Sequence, residues 1–68
     1  MKVTLRGLRA NQNLTVREAA KRLGIAPRTL QYWEYGRTFP NTKQLARICD
    51  VYQCGVEDIF LPTALEEN

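Results

Sequence analysis

The sequence predicts an all-α fold of five short helices. Three observations carry that expectation. Apolar residues recur at i, i+3, i+4, i+7 in two separate stretches, Val16, Ala19, Ala20 and Leu23, then Leu45, Ile48, Cys49 and Tyr52. Glycine and proline fall between the stretches as punctuation rather than inside them. No segment alternates apolar and polar residues long enough to read as a strand.

Each element has its own signals. The first helix is expected from about Val3 to Asn11, burying Leu5 and Leu8, and Asn11-Gln12-Asn13 breaks it. Thr15 and Glu18 have the spacing of a capping box, so the second helix starts after Thr15 and ends near Leu23. Gly24 can take the left-handed conformation that ends a helix and redirects the chain. Pro27 suits the first turn of a third helix, which runs to about Tyr35 and stops at Gly36. Leu30 and Trp33 point inward on it, while Arg28, Gln31, Tyr32 and Tyr35 fall on the other side. Pro40 disfavours helix at Phe39, which leaves residues 37–40 as a loop. Asn41, with Gln44 three positions on, caps the fourth helix. Gly55 precedes a fifth with Val56, Ile59 and Phe60 apolar, closed by Leu61-Pro62. Residues 63–68 read as a flexible acidic tail, which leaves 1–62 as the domain.

A chain of 68 residues holds one domain with a small core. Self-association would be a natural extra source of stability at this size. No apolar run approaches the roughly 20 residues of a membrane span. Met1-Lys2 leads directly into mixed polar sequence, without the pattern of a signal peptide, so a reduced cytoplasmic setting is expected. With no histidine and only Cys49 and Cys54, neither a structural metal site nor a disulfide scaffold is expected, and the cysteines read as small apolar fillers. Enzymatic chemistry finds no support. There is no glycine-rich phosphate loop, no paired-carboxylate site and no base beside either thiol, and no cofactor or small-molecule ligand is implied.

Charge is divided along the chain. Residues 1–47 hold all ten Lys and Arg but only Glu18 and Glu34 among the seven acids, while 48–68 hold the other five acids and no base. This asymmetry points to a polyanion partner for the first part. A compact helix pair with a polar, basic and aromatic outer face suits the major groove of DNA.

The ordered motifs resemble the phage-repressor/Cro-like, or Xre-type, helix-turn-helix family. Leu5-Arg6-Gly7-Leu8-Arg9 followed by Leu14-Thr15 is similar to the family's opening, Ala20 to Pro40 to its core, and Leu45 through Phe60 to its tail. Residues 25–34 also resemble the recognition region of MerR-type winged helices, but here a proline, an Asn cap and amphipathic helices follow instead of a wing. The Cro-like resemblance implies a lambda-repressor-like domain with the helix-turn-helix formed by helices 2 and 3. It implies a small transcription regulator, a Cro-like repressor of phage or mobile-element type, reading double-stranded DNA at an inverted-repeat operator. Base contacts would come from Pro27, Arg28, Thr29, Gln31 and Tyr32, with Arg28 suited to guanine and Gln31 to adenine. Phosphate contacts would come from Arg17, Tyr35, Arg37, Thr38, Asn41 and Lys43.

Arg9 and Glu34 match a structural ion pair of the family. Relatives dimerise through the C-terminal helix, for which Val56, Ile59, Phe60, Leu61 and Pro62 supply an apolar cluster. Val16 stands where the family usually has Gln, and Tyr35 where it commonly has Asn. Those departures leave an alternative: a protein-interaction module of antirepressor or antitoxin type on the same fold.

Overall fold

The computed structural model describes residues 2–61. Its elements are β1 (Val3–Thr4), α1 (Leu5–Asn11), α2 (Val16–Leu23), α3 (Pro27–Tyr35), α4 (Thr42–Tyr52), a 3₁₀ turn (Val56–Asp58) and β2 (Ile59–Phe60). The two predicted capping boxes are formed. Thr15 Oγ1 accepts from the Glu18 N–H at 3.1 Å while the Glu18 carboxylate accepts from the Thr15 N–H at 2.9 Å. Asn41 Oδ1 and the Gln44 side-chain oxygen make the same exchange at 2.8 and 2.9 Å. Each box satisfies two backbone donors that a helix start would otherwise leave unpaired.

Among the described residues the fold is mostly helical with four α-helices, not five. The first helix begins at Leu5 rather than Val3, because Val3–Thr4 is extended and pairs in parallel with Ile59–Phe60. Thr4 becomes the N-cap, its Oγ1 accepting from the Gly7 N–H at 3.0 Å. A Cβ on Gly7 would come within 2.8 Å of a Val3 methyl, so this glycine lets β1 lie against the first turn of α1. The expected fifth helix is one 3₁₀ turn followed by β2. The spacing of Val56, Ile59 and Phe60 fits a helix turn. The backbone of Ile59 and Phe60 instead pairs with β1, more than fifty residues away in sequence. The expected tail, residues 63–68, lies outside the described residues, as does Pro62.

Apolar side chains from every helix meet in one core of Leu5, Leu8, Leu14, Ala19, Ala20, Leu23, Leu30, Trp33, Ile48, Tyr52 and Ile59. Helix α2 packs on both α3 and α4, and α1 on α3. Two side chains tie helix ends across the fold. Arg47 donates to the Arg22 carbonyl near the end of α2 at 3.3 Å, and Gln12 donates to the Tyr52 carbonyl closing α4 at 3.3 Å. Ile59, expected in an apolar docking cluster, is held in the core by β2 with 6% exposure. Leu61 is half-buried against the same core. Val56 and Phe60 remain outside, at 55% and 38% exposure.

Candidate functional site

Two successive helices with a tight turn build the site. Gly24 adopts φ +73°, and the N–H groups of Gly24 and Ile25 return to the carbonyls of Lys21 and Ala20 at 3.2 and 3.0 Å. This left-handed closure satisfies the last carbonyls of α2 and swings the chain into α3. Ala26 stands at the N-cap of α3 without a side-chain hydrogen bond, and Pro27 follows as its first residue. Leu30 and Trp33 are buried beneath α3, so the helix is fixed by its apolar face and its opposite face is free. Pro27, Arg28, Gln31, Tyr32 and Tyr35 are exposed there, and Thr29 is half-buried at the edge.

The exposed face has two flanks. On one, the Arg37 guanidinium lies over the Tyr32 ring, 5.9 Å from its centroid. The turn at Gly36 makes this possible: the Arg37 N–H bonds the Tyr32 carbonyl at 2.9 Å and returns its side chain over the helix. A cation over an aromatic face is attracted by the ring quadrupole, so the Arg37 head is steered rather than free to roam. On the other flank, Gln31 and Tyr35 line a cleft of about 220 Å³ with Val16, Glu34, Arg6 and Arg9. Arg6 was not singled out from the sequence. The available signal was its i, i+3 spacing from Arg9, which puts both on one side of α1.

The other candidate cations lie on α2 and α4. Arg17 and Lys43 are exposed in the first turns of α2 and α4. A cation there opposes the helix dipole, and an anion bound nearby relieves that cost. Arg17 shares a second cleft with Lys21, Ile25 and Pro27. Thr38 is exposed in the loop after α3. Asn41 is also exposed, but its Oδ1 is committed to the capping box, which leaves the side-chain NH₂ as its free donor.

The two acids of this half are both engaged. The Glu18 carboxyl is held below the usual carboxylate range by its hydrogen bonds to the Thr15 backbone N–H and side chain. Glu34 receives Arg9 in a two-pronged ion pair, Nε to Oε2 at 2.8 Å and Nη2 to Oε1 at 3.2 Å, with 5% of the Glu34 side chain exposed. Arg9 Nη1 also donates to the Leu14 carbonyl at 3.1 Å, so the residue braces α1, the following loop and α3 together. Asp50, Glu57 and Asp58 lie on the later elements, and Asp58 accepts from the Gly55 N–H at 3.0 Å. The site therefore presents cations, amides and aromatic rings with its carboxylates already paired.

Among the described residues no cluster of His, Cys, Asp and Glu could hold a metal ion. No described helix is long and apolar enough to cross a membrane. Cys49 and Cys54 are free and half-buried, and burial pushes the Cys54 thiol up.

Comparison with known proteins agrees with this geometry. Residues 3–59 match the model of a family described as a helix-turn-helix domain. Over 61 residues the chain is 34% identical to a protein of Archaeoglobus fulgidus named as an uncharacterized HTH-type transcriptional regulator, covering 90% of this chain and 86% of that one. It is 36% identical over 61 residues to a protein of the same description from Methanocaldococcus jannaschii, covering 90% and 92%. No solved structure matches the chain.

Proposed function

The chain belongs to the helix-turn-helix domain family, and from that premise we propose that it is a sequence-specific transcription regulator that lays α3 in the major groove of double-stranded DNA. The observation that carries this reading is the composition of the free face of α3. Arg28, Gln31, Tyr32 and Tyr35 stand exposed on a helix fixed from behind by Leu30 and Trp33, with cations on both flanks. Hydrogen-bonding side chains on a rigid helix are what base edges in the major groove select.

Arg28 is assigned to guanine through O6 and N7, and Gln31 and Thr29 to base edges beside it. Tyr32 packs on a thymine methyl or reaches a phosphate, and Pro27 shapes the helix start. Arg17, Tyr35, Arg37, Thr38, the Asn41 NH₂ and Lys43 take backbone phosphates, which position the protein without reading sequence. In this reading the protein is a Cro-like repressor that blocks polymerase by occupying its operator. Two copies associate through Val56 and Phe60, so half-sites of an inverted repeat lie about 34–36 Å apart.

One observation favours a second reading. Val16 at the start of α2 is half-buried against the core and its side chain offers no donor, which suits a module that binds a protein on the same face. Selection of binders from a random duplex pool, retested across a salt series, separates the two. An inverted repeat whose affinity falls steeply with salt supports the operator reading. Recovery of no preferred sequence overturns it in favour of the interaction module.

A further inference from the structure

The cleft on the α1 flank of α3 holds an unassigned cation. Arg6 lines it together with Arg9, Val16, Gln31, Glu34 and Tyr35. Of its two arginines, Arg9 is largely committed: Nε, Nη1 and Nη2 each make a bond, to Glu34 or to the Leu14 carbonyl, which uses three of its N–H donors and sets its charge against the Glu34 carboxylate. That pairing also neutralises the cleft's one carboxylate by engaging both of its oxygens. Arg6 is exposed, and its side chain makes neither a salt bridge nor a hydrogen bond among the described residues. The cleft thus keeps one net positive charge. Gln31 and Tyr35 add an amide donor and a hydroxyl donor, and Val16 supplies an apolar wall.

We infer that this cleft is a phosphate-binding subsite for the DNA backbone, with Arg6 as its cation and Gln31 and Tyr35 as its neutral donors. The inference rests on the DNA-binding reading above and changes it in two ways. Anchoring beside the start of α2 comes from α1, because the Val16 side chain cannot donate there. Gln31 is turned toward the backbone, which leaves Arg28, Thr29 and Tyr32 to read the bases. The ligand is a phosphodiester rather than a base edge because the cleft lies on the flank of α3, beside α1, while Arg28 heads the helix's free face. Arg37 with Tyr32 holds the opposite flank. The two sides of α3 then grip the two backbones that border one major groove.

The test compares wild type with Arg6→Met, Arg6→Lys and Arg22→Met on the duplex obtained by selection and on a scrambled duplex. Arg22 is exposed and does not line the cleft, so its variant controls for the loss of one charge. Arg6→Met should bind both duplexes about tenfold more weakly, a loss in keeping with one charge-assisted contact. Its log–log salt slope should fall by about 0.9, the value for one phosphate. Arg6→Lys should keep that slope. A duplex carrying one neutral methylphosphonate in place of the contacted phosphate should weaken wild type and leave Arg6→Met unchanged. A slope and affinity for Arg6→Met equal to those of Arg22→Met overturn the subsite while leaving the DNA-binding reading intact. A loss confined to the selected sequence overturns it in favour of base readout by Arg6. A wild-type chain that binds neither duplex overturns both readings together.

Discussion

Arg9 and Glu34, twenty-five residues apart, close a two-pronged ion pair between α1 and α3, and a third arginine N–H holds the Leu14 carbonyl. The pair lines the same cleft as Gln31 and Tyr35. It therefore links the stability of the domain to the orientation of the helix that carries the candidate site. Removing one partner leaves a nearly buried charge without compensation, which costs far more than an exposed bridge is worth. Arg9→Met and Glu34→Gln should each lower stability by about 3 kcal/mol. Urea denaturation of both single variants and the double variant measures the coupling. Additive single losses would show that the two charges do not depend on each other.

Tyr52 should be improvable by deletion of one atom. Its ring is buried, yet its hydroxyl has no hydrogen-bond partner among the described residues. Tyr52→Phe relieves an unpaired polar group and should leave stability unchanged or raise it by about 1 kcal/mol. The same group sets an alkaline limit. Burial first, then the nearby Glu34 charge, pushes the Tyr52 phenol up to about 12. In the unfolded chain it ionises near 10, as a free tyrosine does (~10). A raised folded value means its contribution is intact below about pH 10 and is lost as pH rises toward 12. Urea midpoints at pH 9 and pH 11 should therefore diverge less for Tyr52→Phe than for wild type. Equal declines would remove Tyr52 as the cause.

The left-handed residues that close α2 and α4 have opposite consequences. Gln53 closes α4 at φ +58°, a conformation that strains a residue with a side chain. Gln53→Gly should stabilise by about 1 kcal/mol, since the strain removed exceeds the added flexibility of the unfolded chain. Gly24 closes α2 at φ +73° with nothing within 4 Å of a notional Cβ. Gly24→Ala should thus cost about 1–2 kcal/mol from backbone strain alone. Thermal melts of the two variants should shift in opposite directions, and a shift of the same sign would contradict the account.

Arg28 and Arg37 should fail differently. Arg28→Ala is expected to cost about 1–3 kcal/mol on the selected duplex and to relax preference at one base pair. Arg37→Ala should weaken all duplexes alike and reduce the salt slope by about 0.9. It also frees the Tyr32 ring from its cation. Titrations on matched and single-mismatch duplexes separate the two behaviours. A sequence-independent loss for Arg28→Ala would move it to the phosphate group.

Val56 and Phe60 are exposed apolar side chains, and the two-copy reading makes them the contact with a second copy. Val56→Glu combined with Phe60→Glu should leave the melting temperature near that of wild type, because both side chains already face outward. Binding to a full inverted repeat should drop toward that of a single half-site. Analytical ultracentrifugation with and without DNA tests this. An unchanged two-copy complex would place the interface elsewhere.

Much of the architecture was legible because its causes are local. Thr15 with Glu18, Asn41 with Gln44, and Gly24 after Leu23 act within about four residues, so their spacing reveals the geometry they enforce. The inward turn of Leu30 and Trp33 follows from helical periodicity in the same way. The family motif also located Arg9 and Glu34, although periodicity alone would not have paired them. What the sequence determined by itself was thus where α2, α3 and α4 start, which faces they bury, and that the positive charge is concentrated in the first part of the chain. Tertiary structure alone decided the rest. Val3 pairs with Ile59 in a strand too short to show any period, which turned a predicted fifth helix into one 3₁₀ turn and drew Ile59 inward. It also placed Arg37 over Tyr32 and brought Arg6 to the cleft beside Gln31 and Tyr35. The physical reason is one of range. A cap or a helical face depends on neighbours within a turn or two. A bridge or a cleft depends on where the packed core brings distant backbone and long side chains together.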